Sequence, residues 1–432
     1  MPTLPRPINS VLSLLLFSLP LLALFQQRAP GVAFHLAAAV GGARLVVLLG
    51  SPHTRKDLKR FWTVFWPICC VALAPLILNV VSNAIEGSVA RAFPSSLQRL
   101  ALLPLVLLAF INMPKITWRF LDGGVVVAAL VSAIILYDSS HGGAVRPSVS
   151  AQNLLNYVNF IALLGIYCLY QIRWQEFNKY WTVNSIRLLG FLAAGYSIYV
   201  SQSRGPLLAL VCLVVLFIWH RTQPVRLVWK LGVCAVAIIV VTSIAMQSDR
   251  FTSRLERGFD TVATSIPALI QGEAPGGPDQ STWVRFELWK ASWLMMLKDP
   301  WVGNAAESFS DKLIILNKQG LISDEATWKK GSSEAFVQPH NEFANAIANR
   351  GVLGAAALLA LYLAPISFFV RRRPGVLKPA WQPVHMGIAT SVGIILFGMT
   401  VSVFTSNWMV ALYVLYISAF MAQTYPDTGS ST

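Results

Sequence analysis

The chain has 432 residues, of which 55% are hydrophobic and only 12% are charged, and its mean hydropathy is +0.58. An ordinary soluble domain carries about 25% charged residues, so the composition excludes a soluble globular enzyme. The apolar residues occur in runs of about 15 to 20, the length that crosses a bilayer core about 30 Å thick. The sequence therefore predicts an all-α polytopic membrane protein.

Twelve apolar segments are predicted to be transmembrane helices. They span residues 8–25, 31–50, 61–81, 99–113, 120–137, 153–172, 188–202, 205–219, 231–247, 346–370, 384–404 and 408–423. No small-x-small cleavage site directly follows the first segment, which is therefore interpreted as a retained helix rather than a signal peptide.

A long polar segment defines the predicted domain organisation. Residues 1–247 contain the first nine predicted helices, residues 248–345 form the polar segment, and residues 346–432 contain the last three helices and a short tail. The polar segment is too long to be a structureless connection, so it is expected to be a partly helical subdomain. The division of nine helices from three argues against a transporter built from two equal repeats.

The charge distribution predicts the orientation. The chain contains 34 Lys and Arg against 19 Asp and Glu. In the short connections, 17 Lys and Arg fall on one side of the predicted membrane and five on the other. Because cytoplasmic loops carry the excess, both termini are expected in the cytoplasm and residues 248–345 outside it. The positive charge then reflects membrane orientation, and nucleic acid is not an expected partner.

Cysteine and histidine give no indication of a metal site. The five cysteines lie inside apolar segments without a CxxC motif, and none of the six histidines shows ligand spacing such as HxxxH. These patterns are typical of small core residues rather than of ligands. The polar segment has no P-loop, GxGxxG or DxD motif, so a nucleotide substrate is not indicated.

Two arginines on the extracytoplasmic side are candidate anion ligands. Arg204 lies in the tight turn 201–206, where Gly205 and Pro206 start the next helix. Arg285 precedes Trp289 by four residues on a predicted amphipathic helix, 283–298. Its apolar face is predicted from four residues at helical spacing, Phe286, Trp289, Trp293 and Met296. The alternatives are an interfacial arginine that reaches the lipid headgroups and a solvated helix edge.

A histidine before a predicted span is the candidate base. Pro339 suits the first position of a helix, which would place His340 in the first helical turn. The positive end of the helix dipole would lower the pKa of His340 and keep the ring neutral and able to accept a proton. The alternative is a surface or capping histidine, and Glu342 is a weaker candidate for the base. Two guanidinium groups and one base suggest a reaction on a phosphorylated lipid, since the arginine fork suits phosphate.

These motifs resemble the O-antigen ligases of Gram-negative inner membranes and their relatives, the O-antigen polymerases and pilin oligosaccharide transferases. The resemblance covers most of the chain and depends on the large late loop, the sequence SRGPLLA at 203–209, the Arg285–Trp289 pair followed by Pro300, and HNEF at 340–343. One departure is Gly303-Asn304-Ala305, where the family often shows Gly-x-Gly, so the role of that loop's backbone stays open.

The resemblance implies a metal-independent, membrane-embedded glycosyltransferase of lipopolysaccharide biosynthesis. It would transfer a glycan from undecaprenyl diphosphate to a sugar hydroxyl of lipid A-core at the periplasmic face, without a cofactor. Arg204 and Arg285 would hold the diphosphate, and His340 would be the base or orient the acceptor. Other residues implied as supporting the site are Trp289, Gln338, Asn341 and Arg44.

Two other functions stay open at this stage. An O-antigen polymerase would use the same donor with a different acceptor, and a lipid or solute transporter is the alternative from another class. Transporters place charged groups near the midplane of the membrane, whereas Arg44 is the one charged residue well inside a clear predicted span. Arg44 is expected either to pair with backbone carbonyls or Asp122, or to contact a substrate phosphate.

Overall fold

The computed structural model describes residues 4–88, 91–141, 147, 153–222, 226–229, 231–232, 235, 249–270, 276–329, 331–372 and 381–425. The described residues form helices and turns, with one isolated β-bridge between Trp328 and Ala335. The predicted all-α class is confirmed. The predicted span 231–247 lies almost entirely outside the described residues.

The helices of the first part of the chain are α1 (Arg6–Phe25), α2 (Ala29–Gly50), α3 (Pro52–Ile85), α4 (Ser95–Ala101), α5 (Leu103–Phe110), α6 (Lys115–Ser139), α7 (Leu154–Gln171), α8 (Trp181–Val200) and α9 (Arg204–Arg221). The later helices are α10 (Asp249–Ile270), α11 (Gln280–Lys298), α12 (Phe309–Lys318), α13 (Asp324–Thr327), α14 (Glu342–Arg371), α15 (Trp381–Gly398) and α16 (Asn407–Gln423). Short 3₁₀ helices occur at Trp174–Glu176 and Val403–Thr405.

Within the described part of the chain, eight helices are long and apolar enough to cross a membrane: α1, α2, α3, α6, α7, α8, α9 and α14. Helix α16 is apolar but shorter. This arrangement agrees with the predicted polytopic membrane protein. The predicted span 384–404 corresponds to α15, which ends at Gly398 and is followed by the 3₁₀ helix Val403–Thr405.

The predicted span 99–113 is not one continuous helix. Helix α4 ends at Ala101, and α5 begins at Leu103, with the backbone of Leu102 outside the helical region (ψ 1°). Pro104 lies in the first turn of α5, where its missing N–H is not needed. The prediction failed here because hydropathy measures apolar length but does not register a proline that starts a new helix.

Helices α7 and α16 form the centre of the bundle. Every residue from Asn156 to Gln171 is buried, as is every residue from Trp408 to Ala422. Their aromatic rings pack together, for example Tyr167 against Tyr416 with centroids 5.4 Å apart. Outer helices instead expose large apolar side chains such as Leu14 and Trp62, as expected of a surface that faces lipid.

The helices α10 to α13 lie in the predicted loop subdomain, and α11 to α13 build a second, smaller core. It includes Val284 and Leu288 of α11, Phe309 and Leu313 of α12, and Ala348 of α14.

This core corrects the predicted face of the amphipathic helix. The buried face of α11 runs through Val284, Leu288, Ala291 and Met295. Of the predicted face, Met296 is also buried, whereas Trp293 is 56% exposed. Aromatic residues at helical spacing were mistaken for the packing face because periodicity cannot distinguish which of two neighbouring apolar stripes finds a partner.

The loop after α11 is fixed to a kink in α14. The kink lies at Arg350 and Gly351, and Gly351 has a φ of +58°. Just beyond it, the Val352 N–H donates to the Pro300 carbonyl at 2.8 Å. The buried Lys312 ammonium donates to the carbonyls of Asn304 and Ala348 at 2.9 and 2.7 Å. These bonds hold the small core against the helix that begins at the candidate site.

Candidate active site

The segment that contains His340 lies just before α14. Helix α14 begins at Glu342, and the Asn341 side chain caps it by accepting from the Ala344 N–H at 3.1 Å. His340 therefore precedes the cap, with a φ of +54°. The prediction that Pro339 starts the helix and that His340 lies in its first turn is wrong, because an asparagine is a much better N-cap than the residues before it.

Hydrogen bonds hold this segment from two sides. The Trp289 Nε1–H donates to the Pro339 carbonyl at 3.1 Å. On the other side, the Thr405 hydroxyl donates to the Gln338 side-chain oxygen at 3.0 Å. Trp289 and Gln338, both predicted as supporting residues, thus take part in the hydrogen bonds that hold the segment containing His340. The left-handed backbone of His340 is uncommon for a non-glycine residue, and these neighbours fix it.

His340 and Arg285 line one cavity of about 580 Å³, called cavity A below. Its wall includes Val284 and Gln280 of α11 and Phe336. Charged side chains Asp324, Glu325 and Lys329 also line it. The structure therefore brings together two of the three principal residues that the sequence indicated, although they lie 55 positions apart in the chain.

The imidazole of His340 is neutral over the physiological pH range. Burial and the nearby positive charge of Arg285 together lower its pKa to about 4. The direction of the shift agrees with the prediction, but its causes are burial first and the charge of Arg285 second, rather than a helix dipole. The Nδ1 atom is buried and makes no hydrogen bond to the part of the chain that the structure describes. A neutral imidazole has one nitrogen that can accept a proton, and the His340 ring lines cavity A.

Arg204 stands behind cavity A rather than in its wall. It is the first residue of α9, and its Nη2 donates to the Asp279 carboxylate at 2.6 Å. Asp279 caps α11 by accepting from the Ser281 N–H at 3.2 Å. The next two residues, Gln280 and Ser281, line cavity A. Arg204 thus contacts the beginning of the helix that carries Arg285.

Asp279 is a site residue that the sequence analysis missed. Burial alone would raise the pKa of its carboxyl, but hydrogen bonds from Arg204 and Thr282, with the Arg204 charge, lower it below the ordinary value. The carboxylate is therefore charged at neutral pH. An Asp four residues before the predicted amphipathic helix 283–298 is a possible cap signal, but its pairing with Arg204, 75 residues away, has no local sequence signature.

Arg44 is separate from cavity A. It is buried, and its Nη1 donates to the carbonyls of Leu108 and Ile111 at 3.0 and 2.6 Å. Of the two predicted pairings, the structure shows the one with backbone carbonyls. Glu342 is also engaged, because its carboxylate accepts from the Phe404 N–H at 2.8 Å.

The segment that departs from the family pattern is docked on α3. The Ser82 hydroxyl donates to the Gly303 carbonyl at 2.8 Å and accepts from the Ala305 N–H at 2.9 Å. Gly303 has a φ of +63°, and a Cβ there would lie 2.6 Å from the Arg350 nitrogen. Glycine is required at this position, and the loop's backbone binds the protein itself.

Comparison with known families identifies the type of protein. The family model described as O-antigen ligase matches residues 189–359. Over these residues, which make up less than half of the chain, the sequence is similar to the O-antigen ligase family. The match includes Arg204, Arg285 and His340 and confirms the family predicted from the motifs. It supports a glycosyltransferase of the O-antigen ligase and polymerase type. No curated protein matches the chain.

Among the described residues there is no group of three or more His, Cys, Asp or Glu side chains able to hold a metal ion. The positively charged groups that line cavity A are the Arg285 guanidinium and the Lys329 ammonium, and Lys329 also pairs with Glu334 at 2.7 Å.

Proposed function

We propose that the protein is an O-antigen ligase. It would transfer a glycan from undecaprenyl diphosphate to a sugar hydroxyl of lipid A-core, at the periplasmic face of a Gram-negative inner membrane. The observation that supports this proposal is cavity A, where the neutral imidazole of His340 and the guanidinium of Arg285 face one space. The transfer needs two groups next to each other, a base and a group that binds phosphate.

In the proposed step, the acceptor hydroxyl oxygen forms a bond to the anomeric carbon of the donor sugar. The bond between that carbon and the diphosphate oxygen breaks, and undecaprenyl diphosphate leaves with the electron pair. The hydroxyl proton passes to the unprotonated ring nitrogen of His340. Arg285 stabilises the charge that develops on the diphosphate, as a preorganised donor does in other transfer reactions, so no metal is needed.

Arg204 would complete the diphosphate site while paired with Asp279. A guanidinium has five N–H donors, and the bond to Asp279 is made by Nη2. The side chain of Arg204 is 30% exposed, so a ligand can reach it. In this arrangement Asp279 orients Arg204 toward a second phosphate oxygen.

Donor binding would also strengthen the base. A pKa of about 4 makes His340 a weak proton acceptor in the free protein, since general bases work best with a pKa near the operating pH. Arg285 contributes to that low value. A diphosphate bound to Arg285 would neutralise its charge and raise the pKa of His340. The base would then become effective only after the donor is bound, which limits hydrolysis.

A transfer assay tests the proposal. Purified protein would be supplied with undecaprenyl diphosphate-linked glycan and, in separate reactions, with lipid A-core or a second lipid-linked glycan as acceptor. Transfer to lipid A-core supports the ligase. Transfer only to the lipid-linked glycan would identify a polymerase, and EDTA should leave the rate unchanged.

The proposed orientation has its own test. In a variant without the native cysteines, a single cysteine would be introduced by Lys318→Cys on α12 or by Lys56→Cys on α3. Each protein would then be treated from the periplasm with a membrane-impermeant thiol reagent. Both positions are exposed. Labelling at 318 but not at 56 is expected, and the reverse result would place the site on the cytoplasmic side.

A further inference from the structure

A second cavity lies on the other side of the segment before His340. It has a volume of about 680 Å³ and is called cavity B here. It lies between the turn that joins α1 to α2, helix α4, the beginning of α7 and the beginning of α16. Gln338 lines cavity B, whereas His340, two residues later, lines cavity A. One short segment therefore contributes to both spaces.

Cavity B is positively charged. Arg28 and Arg99 line it, and no Asp or Glu is among its lining residues. The Nε and Nη1 atoms of Arg99 are buried and make no hydrogen bond to any described residue. Arginine stays protonated in proteins, and leaving the buried part of a guanidinium without a partner is costly. The guanidinium of Arg99 thus indicates an anionic ligand.

The remaining wall is suited to a sugar. Asn153, Asn156 and Gln338 present side-chain amides, and Trp408 adds an indole. The Asn156 side-chain oxygen is buried and, like the Arg99 atoms, has no hydrogen-bond partner in the part that the structure describes. Amides both donate to and accept from hydroxyl groups. An aromatic side chain adds apolar surface with a polar edge.

We propose that cavity B binds a phosphate group carried by the acceptor glycolipid, through Arg99 and Arg28, and so brings the acceptor sugar next to His340. This inference rests on the proposed function. It assigns the donor diphosphate to cavity A and the acceptor phosphate to cavity B. The two substrates would meet at the segment 338–340, which Trp289 holds from one side and Thr405 from the other.

Kinetics with a phosphorylated acceptor test the assignment. Arg99→Ala should raise the KM for lipid A-core roughly tenfold or more, as expected for the loss of a charge-assisted hydrogen bond. The KM for the donor and kcat at saturating acceptor should change little. With dephosphorylated lipid A-core, the wild type and the variant should have the same high KM. A rise in the donor KM instead would overturn the proposal.

Matched variants control for folding. Arg99→Lys keeps the charge and should restore part of the acceptor affinity. Arg91→Ala removes an exposed arginine that pairs with Asp311 at 3.2 Å outside cavity B, and its acceptor KM should equal that of the wild type. If Arg91→Ala raised the acceptor KM as much as Arg99→Ala, general surface charge rather than cavity B would explain the effect.

A binding experiment separates this inference from the proposed function. The His340→Ala protein in nanodiscs would be incubated with phosphorylated or dephosphorylated lipid A-core or with phosphatidylglycerol, and bound lipid would be measured by native mass spectrometry. Binding of phosphorylated lipid A-core that falls when Arg99→Ala is added supports the inference even if the wild type transfers no glycan. Equal, Arg99-dependent binding of phosphatidylglycerol would show a general headgroup site and overturn it, as would binding independent of Arg99.

Discussion

Arg204 and Arg285 have similar sequence features but different surroundings. Arg285 lines cavity A with His340 and lowers the pKa of that histidine. Arg204 lies behind the cavity wall and donates to Asp279, the cap of the helix that carries Arg285. Residues that share charge and location in the sequence can therefore act at different distances from the chemistry.

The difference leads to separate expectations for the two regions. The region of Arg285 and His340 should affect the chemical step and its pH dependence. The region of Arg204 and Asp279 should affect donor binding and the position of α11. Variants in the two regions are therefore expected to differ in which kinetic constant changes.

The largest effect is expected at His340. A positioned general base contributes roughly 100- to 10,000-fold, so His340→Ala should reduce kcat by that order while donor affinity stays near the wild-type value. His141→Ala is the control, because His141 is exposed after the end of α6 and should be fully active. Transfer by His340→Ala at the wild-type rate would contradict the assignment of the base.

Arg285→Ala should have the second-largest effect, a loss of roughly 100- to 1,000-fold in kcat. This is the range for removing one preorganised hydrogen-bond donor to a developing charge. Arg285→Lys should recover only part of this, since an ammonium lacks the planar fork. Steady-state kinetics with a lipid-linked donor measures both variants. Full activity of the lysine variant would show that charge alone suffices.

The pH profile tests the contact between Arg285 and His340. With a pKa of about 4 in the free protein, His340 is unprotonated above pH 5, so kcat/KM should be flat from pH 8 to about 5 and should fall only as pH approaches 4. In Arg285→Gln the lowering positive charge is gone, so the fall in kcat/KM should move to higher pH. An unchanged profile would show that burial alone sets this pKa.

These predictions also show what could be read from the sequence. Apolar runs and turn residues predicted the all-α class, and the motifs predicted that Arg285 and His340 belong to one site. Local signals do not encode pairing between distant segments, so the Arg204–Asp279 bond and the Lys312 contacts to Asn304 and Ala348 were not foreseen. Nor could hydropathy alone distinguish α7 and α16, buried on all sides, from the outer helices.

A smaller effect is expected for the pair behind the cavity. Arg204→Ala should lower kcat/KM for the lipid-linked glycan roughly 10- to 100-fold if Arg204 also binds phosphate. This is the loss expected when a charge-assisted hydrogen bond is removed. Asp279→Asn keeps a good helix cap and removes only the carboxylate, so its loss should be a few-fold. A double-mutant cycle on kcat/KM measures the coupling. Equal losses in both single variants would indicate that Arg204 acts only by holding α11.

The smallest effect is expected at Trp289, which acts through the backbone before His340. Trp289→Phe removes the Nε1–H donor to the Pro339 carbonyl and keeps an aromatic ring beside Phe286. One hydrogen bond of this kind contributes about 0.5–1.5 kcal/mol, which corresponds to a loss of roughly 2- to 10-fold in kcat. The KM for the lipid-linked glycan donor should stay unchanged, because no contact to that substrate is lost.

The same helix offers a matched control for Trp289. Trp293→Phe changes an exposed tryptophan one turn later and should leave kcat at the wild-type value. If both variants lost activity equally, the effect would come from α11 as a whole rather than from the bond to Pro339. If Trp289→Phe raised the donor KM with kcat unchanged, Trp289 would contact the donor directly, and the left-handed backbone at His340 would have to be fixed from the Gln338–Thr405 side alone.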